Sequence, residues 1–549
     1  MQATEADRST LTTAVERRRT FAIISHPDAG KTTLTEKLLL YGGAINTAGQ
    51  VAARRRARQA TSDWMELERE RGISITSTVL QFPYKDCTLN LLDTPGHQDF
   101  GEDTYRTLLA ADSAVMLIDA AKGVEPQTKK LFAICRARRI PLFTFINKLD
   151  RPSRDPLALL DELEKVLGIA AYPMVWPLGN GPSFRGVYDR RTHDVHLFER
   201  TEHGAKRAPV RVTDIGDPHF ATLTDETTYR EFRDGLELLE GAGAAFERDA
   251  FLRGDATPVF FGSAVTNFGV ELFLDAFIDL APPPRPRAAA LDGTGETRDV
   301  PPASDDFSGF VFKIQANMDP RHRDRVAFLR VCSGRFERDM TVRNMRTGKD
   351  VRVTRAMKLF ASEREVVDEA YAGDVVGLAN PGSFAIGDTL CAGTPVTYDR
   401  IPSFAPEYFA SVRNVDTGAY KSFGKGVAQL AEEGAIQVFY APGSMRSEPI
   451  FAAVGELQFE VAKYRLAAEY NVKTEFLRLP FSLARRVVAD AAAIQAATWP
   501  SNARLVEDAA GAPVALFESA WSVRLAEEWN PLLRFEPFEA SARIAEAVG

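Results

Sequence analysis

The chain has 549 residues, 45% hydrophobic and 26% charged, enough for about three or four domains that each bury a core. Its mixed charge and 10% aromatic content exclude a disordered polymer, and no run approaches the ~20 consecutive apolar residues of a membrane span. With 67 Lys and Arg against 75 Asp and Glu the net charge is −8, which by itself predicts no nucleic-acid partner.

The first twenty residues are polar and basic, with Arg17, Arg18 and Arg19 in a row. They carry no apolar block of the kind a secretory leader needs. Cys87, Cys135, Cys332 and Cys391 lie too far apart for a disulfide framework or a zinc site. A soluble, multidomain, cytoplasmic chain with no membrane partner is expected, acting as a monomer.

After an N-terminal extension (1–20), residues 21–281 alternate apolar runs with helical patterns. Phe21–Ser25, Leu89–Asp93, Ala114–Asp119, Leu142–Asn147 and Val259–Ser263 read as strands buried on both faces, and Thr32–Tyr41, Gln127–Arg138 and Val270–Leu280 as helices. That alternation predicts an α/β domain with a parallel sheet. The mixed stretch 170–255 reads as an insertion within it. Residues 282–305, with Pro282, Pro283, Pro284, Pro286, Pro301 and Pro302, read as a stiff linker that does not pack. Short strands such as Phe310–Ile314, Val326–Val331, Val351–Val353 and Val375–Leu378 predict a β-barrel over 306–398. From 399 to 549, strands at Tyr408–Val412, Ile436–Phe439 and Phe451–Val454 and helices at Lys421–Glu433 and Glu456–Tyr470 predict one α+β domain.

Ser25-His26-Pro27-Asp28-Ala29-Gly30-Lys31-Thr32 joins a strand to a helix, the setting of a phosphate-binding loop. Its amides and the helix N-terminus suit α/β-phosphates, Lys31 suits the β/γ oxygens, and the Thr32 hydroxyl suits Mg²⁺. Ser25 stands where the common pattern has its first glycine. Asp93-Thr94-Pro95-Gly96-His97 follows the next apolar strand. Asp93 is placed to hold the Mg²⁺ shell from the side opposite Thr32, and the Gly96 amide to report the γ-phosphate.

Asn147-Lys148-Leu149-Asp150 closes a further strand. Asp150 can accept together from the N1–H and N2–H₂ donors of guanine, a pair that adenine lacks, so the base it selects is guanine. Ser263-Ala264 is expected to supply a backbone contact to guanine O6. Three such motifs in order predict GTP as the bound nucleotide.

Asp93–His97, with Glu70-Arg71-Gly72-Ile73-Ser74-Ile75-Thr76 upstream, resembles the ribosome-dependent GTPases of translation, such as elongation factors Tu and G. The residues 23–33, 310–331, 430–439 and 454–470 resemble the peptide chain release factor 3 family within that group, and the likeness runs from about residue 20 to at least 480. The resemblance implies a GTPase of termination that binds the ribosome after peptide release and promotes departure of class-I release factors, hydrolysis then letting it leave. It also implies that His97 positions the attacking water. Ser74, or Thr76 if the register shifts by two, would be the first-switch hydroxyl on Mg²⁺. Another ribosomal GTPase task and a GTP-gated binding module stand as alternatives.

The segment 313–358 holds 13 Lys and Arg against 5 Asp and Glu, a local balance of +8. Arg321, Arg323 and Arg325 would share one strand face, and the resemblance implies that this barrel meets ribosomal RNA, where phosphates favour a cationic face. Arg54, Arg55, Arg56 and Arg58 would do the same near the first switch. His193 and His196, with no third ligand in view, are assigned no role.

Overall fold

The computed structural model describes residues 5–45, 75–199, 210–215, 225–241, 245–316, 325–360, 363–444 and 448–538. The strands of the first domain are β1 (Arg18–Ser25), β2 (Thr78–Tyr84), β3 (Cys87–Asp93), β4 (Ser113–Asp119), β5 (Leu142–Asn147), β6 (Ala170–Pro173), β7 (Val175–Leu178), β8 (Gly186–Asp189), β9 (Asp194–Phe198), β10 (Val210–Asp214) and β11 (Ala256–Phe261). Seven of them form one sheet in the order β2-β3-β1-β4-β5-β11-β6. All of its pairings are parallel except the β2–β3 hairpin at the edge. Ala22, Ile23, Ile24, Met116, Leu117, Phe145 and Ile146 are fully enclosed, as strands covered by helices on both faces require.

The register aligns Ile23 with Asp93 and Asp119 with Asn147, so the carboxyl ends of β1, β3, β4 and β5 open onto one edge. Strand β1 lies between β3 and β4, where the chain order reverses. That is the place where open parallel sheets bind ligands.

Strand β6 continues the main sheet beside β11, so the stretch read as an insertion is part of the sheet over its first four residues. The rest builds a four-stranded antiparallel sheet, β10-β9-β8-β7, and helices Glu226–Gly241 and Arg248–Arg253.

The expected linker does pack. Arg287–Leu291 and Thr297–Val300 are paired strands, and the first also pairs with Val396–Tyr398. The prolines stop at 286 and resume at 301, leaving between them a stretch whose amides are free to join a ladder. Beyond it, Phe307–Ala316 and Arg325–Ser333 form the long hairpin of an eight-stranded antiparallel sheet, as the barrel reading anticipated in class.

The carboxyl-terminal region holds two four-stranded sheets, joined by a buried cluster of Phe409, Phe439 and Ile450 from the first with Ala484, Val514 and Leu516 from the second. A four-stranded sheet that includes Tyr408–Asn414 packs under helices Tyr420–Glu432 and Leu457–Tyr470 around Phe423, Phe451 and Leu466. A second sheet, drawn from residues 483–536, packs under helix Ala520–Trp529 with its own core of Ala515, Phe517 and Phe535. Among the described residues no helix is long and apolar enough to cross a membrane.

Candidate functional site

A cavity of about 300 Å³ opens at the carboxyl edge of the sheet, lined by Ser25 to Asp28, Gly30 to Thr33, Gly96, His97, Asn147, Lys148, Arg151 and Val265. Helix Lys31–Tyr41 starts at Gly30, which is left-handed at φ 99°. A Cβ there would stand 2.4 Å from Asn147 Nδ2, so only glycine fits. Asp28 and Lys148 are left-handed as well, at φ 66° and 71°. Such backbone strain persists where the surroundings impose it, and here the two residues hold each other: Lys148 Nζ donates to the Asp28 carbonyl.

At the phosphate end, the Lys31 ammonium lies 2.7 Å from Asp93 Oδ1, with both side chains nearly enclosed. The cation suited to phosphate and the carboxylate suited to a metal shell are thus paired with each other, Lys31 lining the cavity. Ser25 Oγ is buried with no hydrogen-bond partner, and Ser25 lines the cavity. Thr94 Oγ1 donates to the Ile23 carbonyl at 2.6 Å, tying the second motif to β1. His26 Nε2 lies 3.1 Å from Glu125 Oε1, the residue that precedes helix Pro126–Ala137.

At the base end, Asn147 spends both ends of its amide. Its Nδ2 donates to the Ala29 carbonyl at 2.9 Å and its Oδ1 accepts from the Ala264 amide at 2.8 Å, so it staples the phosphate loop to the last motif. Lys148 Nζ also meets Asp119 Oδ2 at 2.8 Å. Burial pushes the Asp119 carboxyl up, but the Lys148 hydrogen bond and the Ala121 amide outweigh it and hold the group below its usual range. Ser263 Oγ donates to Asp150 Oδ1 at 2.6 Å. The Ser263 amide donates to the Phe268 carbonyl at 3.0 Å. Both amides expected to face guanine O6 are therefore engaged within the protein, and Val265, the next residue, is the one that lines the cavity.

At the γ end, His97 is one-third exposed and its Nδ1 lies 3.1 Å from Asp99 Oδ1. Thr76 lines a separate cavity, among Glu102, Asp103, Arg106, Lys313 and Arg465. Ser74, the other switch hydroxyl, lies outside the described residues with Glu70, Arg71, Gly72 and Ile73.

Three families match the chain along its length. Elongation factor Tu GTP binding domain covers residues 16–283, Elongation factor G domain 2 covers 306–393, and Class II release factor RF3, C-terminal domain, covers 398–527. The peptide chain release factor 3 of Gloeobacter violaceus is 59% identical over 527 residues, which is 96% of this chain and 98% of that one. The chain belongs to the peptide chain release factor 3 family. It is a translational GTPase of the termination class. The relative from a Cyanothece species is 58% identical over 95% of this chain and 96% of its own. A solved chain from Thermus thermophilus superposes with a TM-score of 0.67 at 23% identity, covering 90% of this chain and 72% of that chain; that likeness speaks to the fold.

Sequence reasoning missed Arg151, Val265 and Glu125. Each adjoins a motif or a helix start, and no residue pattern distinguishes it from a surface neighbour. Of the basic barrel segment, several charges are engaged within the fold. Lys313 is buried and its Nζ donates to the Ser77 carbonyl and meets Asp103 Oδ2 at 3.4 Å. Arg330 is enclosed against Asp112, and Arg325 is paired with Glu432 of the third domain. Arg335, Arg338, Arg346 and Arg352 also have carboxylate partners. Arg343, Lys349, Arg355 and Lys358 are the remaining basic residues of that segment within the described chain, while Arg321, Arg323 and Arg54 to Arg58 lie outside it. His193 Nδ1 is hydrogen-bonded to the Tyr188 hydroxyl at 2.8 Å.

Proposed function

We propose that this chain is a cytoplasmic, ribosome-dependent GTPase that promotes dissociation and recycling of class-I release factors after peptide release, and that hydrolysis drives its own departure. Family membership over 96% of the chain carries the proposal. In this reading it acts as a monomer on both ribosomal subunits.

The Gly30–Thr33 turn offers its amides to the phosphates and Lys31 neutralises the β/γ oxygens. The donor set fits Mg²⁺: a hydroxyl at Thr32 and a buried carboxylate at Asp93 are hard oxygen ligands, and this ion takes one or two of them plus phosphate oxygens and waters. Among the described residues no cluster of three His, Cys, Asp or Glu side chains competes as a metal site. When bound, Mg²⁺ would neutralise charge developing on the β- and γ-oxygens.

Asp150 accepts from guanine, with Ser263 holding its other demands. His97 orients a water toward the γ-phosphorus. The water oxygen bonds to phosphorus as the bond to the β,γ-bridging oxygen breaks, GDP leaves, and the water's proton ends on inorganic phosphate. With no arginine supplied by the motifs, unaided turnover is slow, and a partner accelerates it by ~10³–10⁵.

The test is GTP hydrolysis with and without termination complexes that carry a class-I factor, while loss of that factor is followed. Stimulated turnover with faster departure is the expected result. Stimulation without departure would point to another ribosomal task, and no stimulation would leave a GTP-gated module. His97→Ala should lower stimulated kcat by about 10²–10⁴ with GDP affinity kept; unimpaired turnover would refute its role.

A further inference from the structure

Two groups of Asp99 compete for one nitrogen of His97. The carboxylate Oδ1 lies 3.1 Å from Nδ1, and the Asp99 amide nitrogen lies 3.3 Å from the same Nδ1. Donation to the carboxylate needs a proton on Nδ1, whereas acceptance from the amide needs a bare lone pair. The first arrangement leaves Nε2 with a lone pair for a water; the second puts the only proton on Nε2. A hydrogen bond to an ionised acceptor is the stronger of the two, so the carboxylate prevails whenever it is held in place.

The third domain does the holding. Asp99 Oδ2 accepts from the Leu457 amide at 2.8 Å. Leu457 opens helix Leu457–Tyr470, whose first amides lack helical partners and whose dipole favours an anion. The approach is tight: a Cβ on Gly455 would stand 2.0 Å from Asp99 Cγ. Gln458 Oε1 fixes that turn by accepting from the Val454 and Gly455 amides at 2.8 and 3.2 Å. Around it Ile75, Phe100, Leu457, Val461 and Tyr464 form one apolar cluster that joins the end of the first switch, the turn after His97 and the third-domain helix.

We infer that Asp99 is a positioning residue for His97, and that it makes the tautomer and orientation of the imidazole depend on the docking of the third-domain helix. The inference rests on His97 acting in hydrolysis. Movement of that helix away from the GTPase domain frees the carboxylate and leaves Nδ1 to the amide. The water-orienting form of His97 is thereby reserved for one arrangement of domains.

The experiment compares the full chain with His97→Ala, Asp99→Asn, the double variant and Gly455→Ala on ribosomal termination complexes. The asparagine keeps the size and an acceptor for Leu457 but loses the carboxylate. Asp99→Asn is expected to lower stimulated kcat about 10–100-fold with KM for the ribosome and GDP affinity unchanged, and to add nothing in the His97→Ala background. Gly455→Ala, which displaces the carboxylate from the other domain, should lower kcat in the same direction. Wild-type kcat in Asp99→Asn beside an impaired His97→Ala would overturn the inference and spare the reading of His97. Wild-type kcat in His97→Ala would remove that reading itself, and the inference with it. A full additional loss in the double variant would make Asp99 structural and overturn the inference. If Asp99→Asn does not bind GDP, Gly455→Ala decides alone, unchanged kcat counting against.

Discussion

Asp150 follows the cavity-lining Lys148 by two residues, and its carboxylate is steadied by Ser263 Oγ at 2.6 Å. The role proposed for it, guanine acceptor, rests on the Asn-Lys-Leu-Asp string, because the donor pair of guanine demands a carboxylate. Asp150→Asn should weaken GTP binding and shift preference toward xanthosine triphosphate, whose 2-oxo group accepts where guanine donates. Competition binding with the two nucleotides checks it, and unchanged selectivity would refute the base assignment. The role of Asn147 was not readable in the same way. Its two hydrogen bonds, to Ala29 and Ala264, join segments more than a hundred residues apart, and no spacing rule encodes that closure.

Helix Pro126–Ala137 illustrates the scale of elements. Proline at its first position and Leu131, Phe132, Ile134 and Cys135 buried at helical spacing explain why sequence placed it almost to the residue. Burial pushes the Cys135 thiol from about 9 up to about 12. Because the folded value is the higher one, its contribution to stability is complete below pH 9 and is lost as pH rises toward 12, where the unfolded thiol ionises first. The loss is about 1.4 kcal/mol at about pH 10. Denaturant unfolding at about pH 8 and about pH 10 under reducing conditions should show this loss, and Cys135→Ala should abolish that part of it. Equal pH dependence in both proteins would refute the assignment. The strands Arg287–Leu291 and Thr297–Val300 escaped notice because flanking prolines dominate a local reading, while what makes them strands is their pairing with each other and that of the first with Val396–Tyr398.

Across the whole molecule, buried charge joins the domains. Arg330 of the barrel reaches Asp112 of the GTPase domain at 2.5 Å, with the two side chains 1% and 4% exposed, and donates to the Gly373 carbonyl at 2.6 Å. Asp374 gathers Arg18 at 2.7 Å and Gln81 at 2.9 Å from the first domain. Arg330→Ala leaves Asp112 enclosed without its main partner and should cost about 3–5 kcal/mol. Arg330→Met combined with Asp112→Leu should cost less, since neither charge then remains buried. Urea unfolding midpoints of the two variants decide this; equal losses would mean that the pair's charge is not what matters. The same contacts account for the basic segment at 313–358: Lys313, Arg325 and Arg330 are spent within the fold.

By itself the sequence determined the nucleotide, the order of the three motifs, the parallel sheet that carries them and the family to which the chain belongs. Those properties rest on residue type and spacing along short stretches, where strand and helix periods and phosphate chemistry act locally. Tertiary structure alone decided which charges face solvent, that the proline-rich stretch packs, that the carboxyl-terminal region is built on two sheets, and that Asp99 lies between His97 and Leu457. Each of these depends on burial and on partners distant in the chain, and neither has a period that a sequence can display.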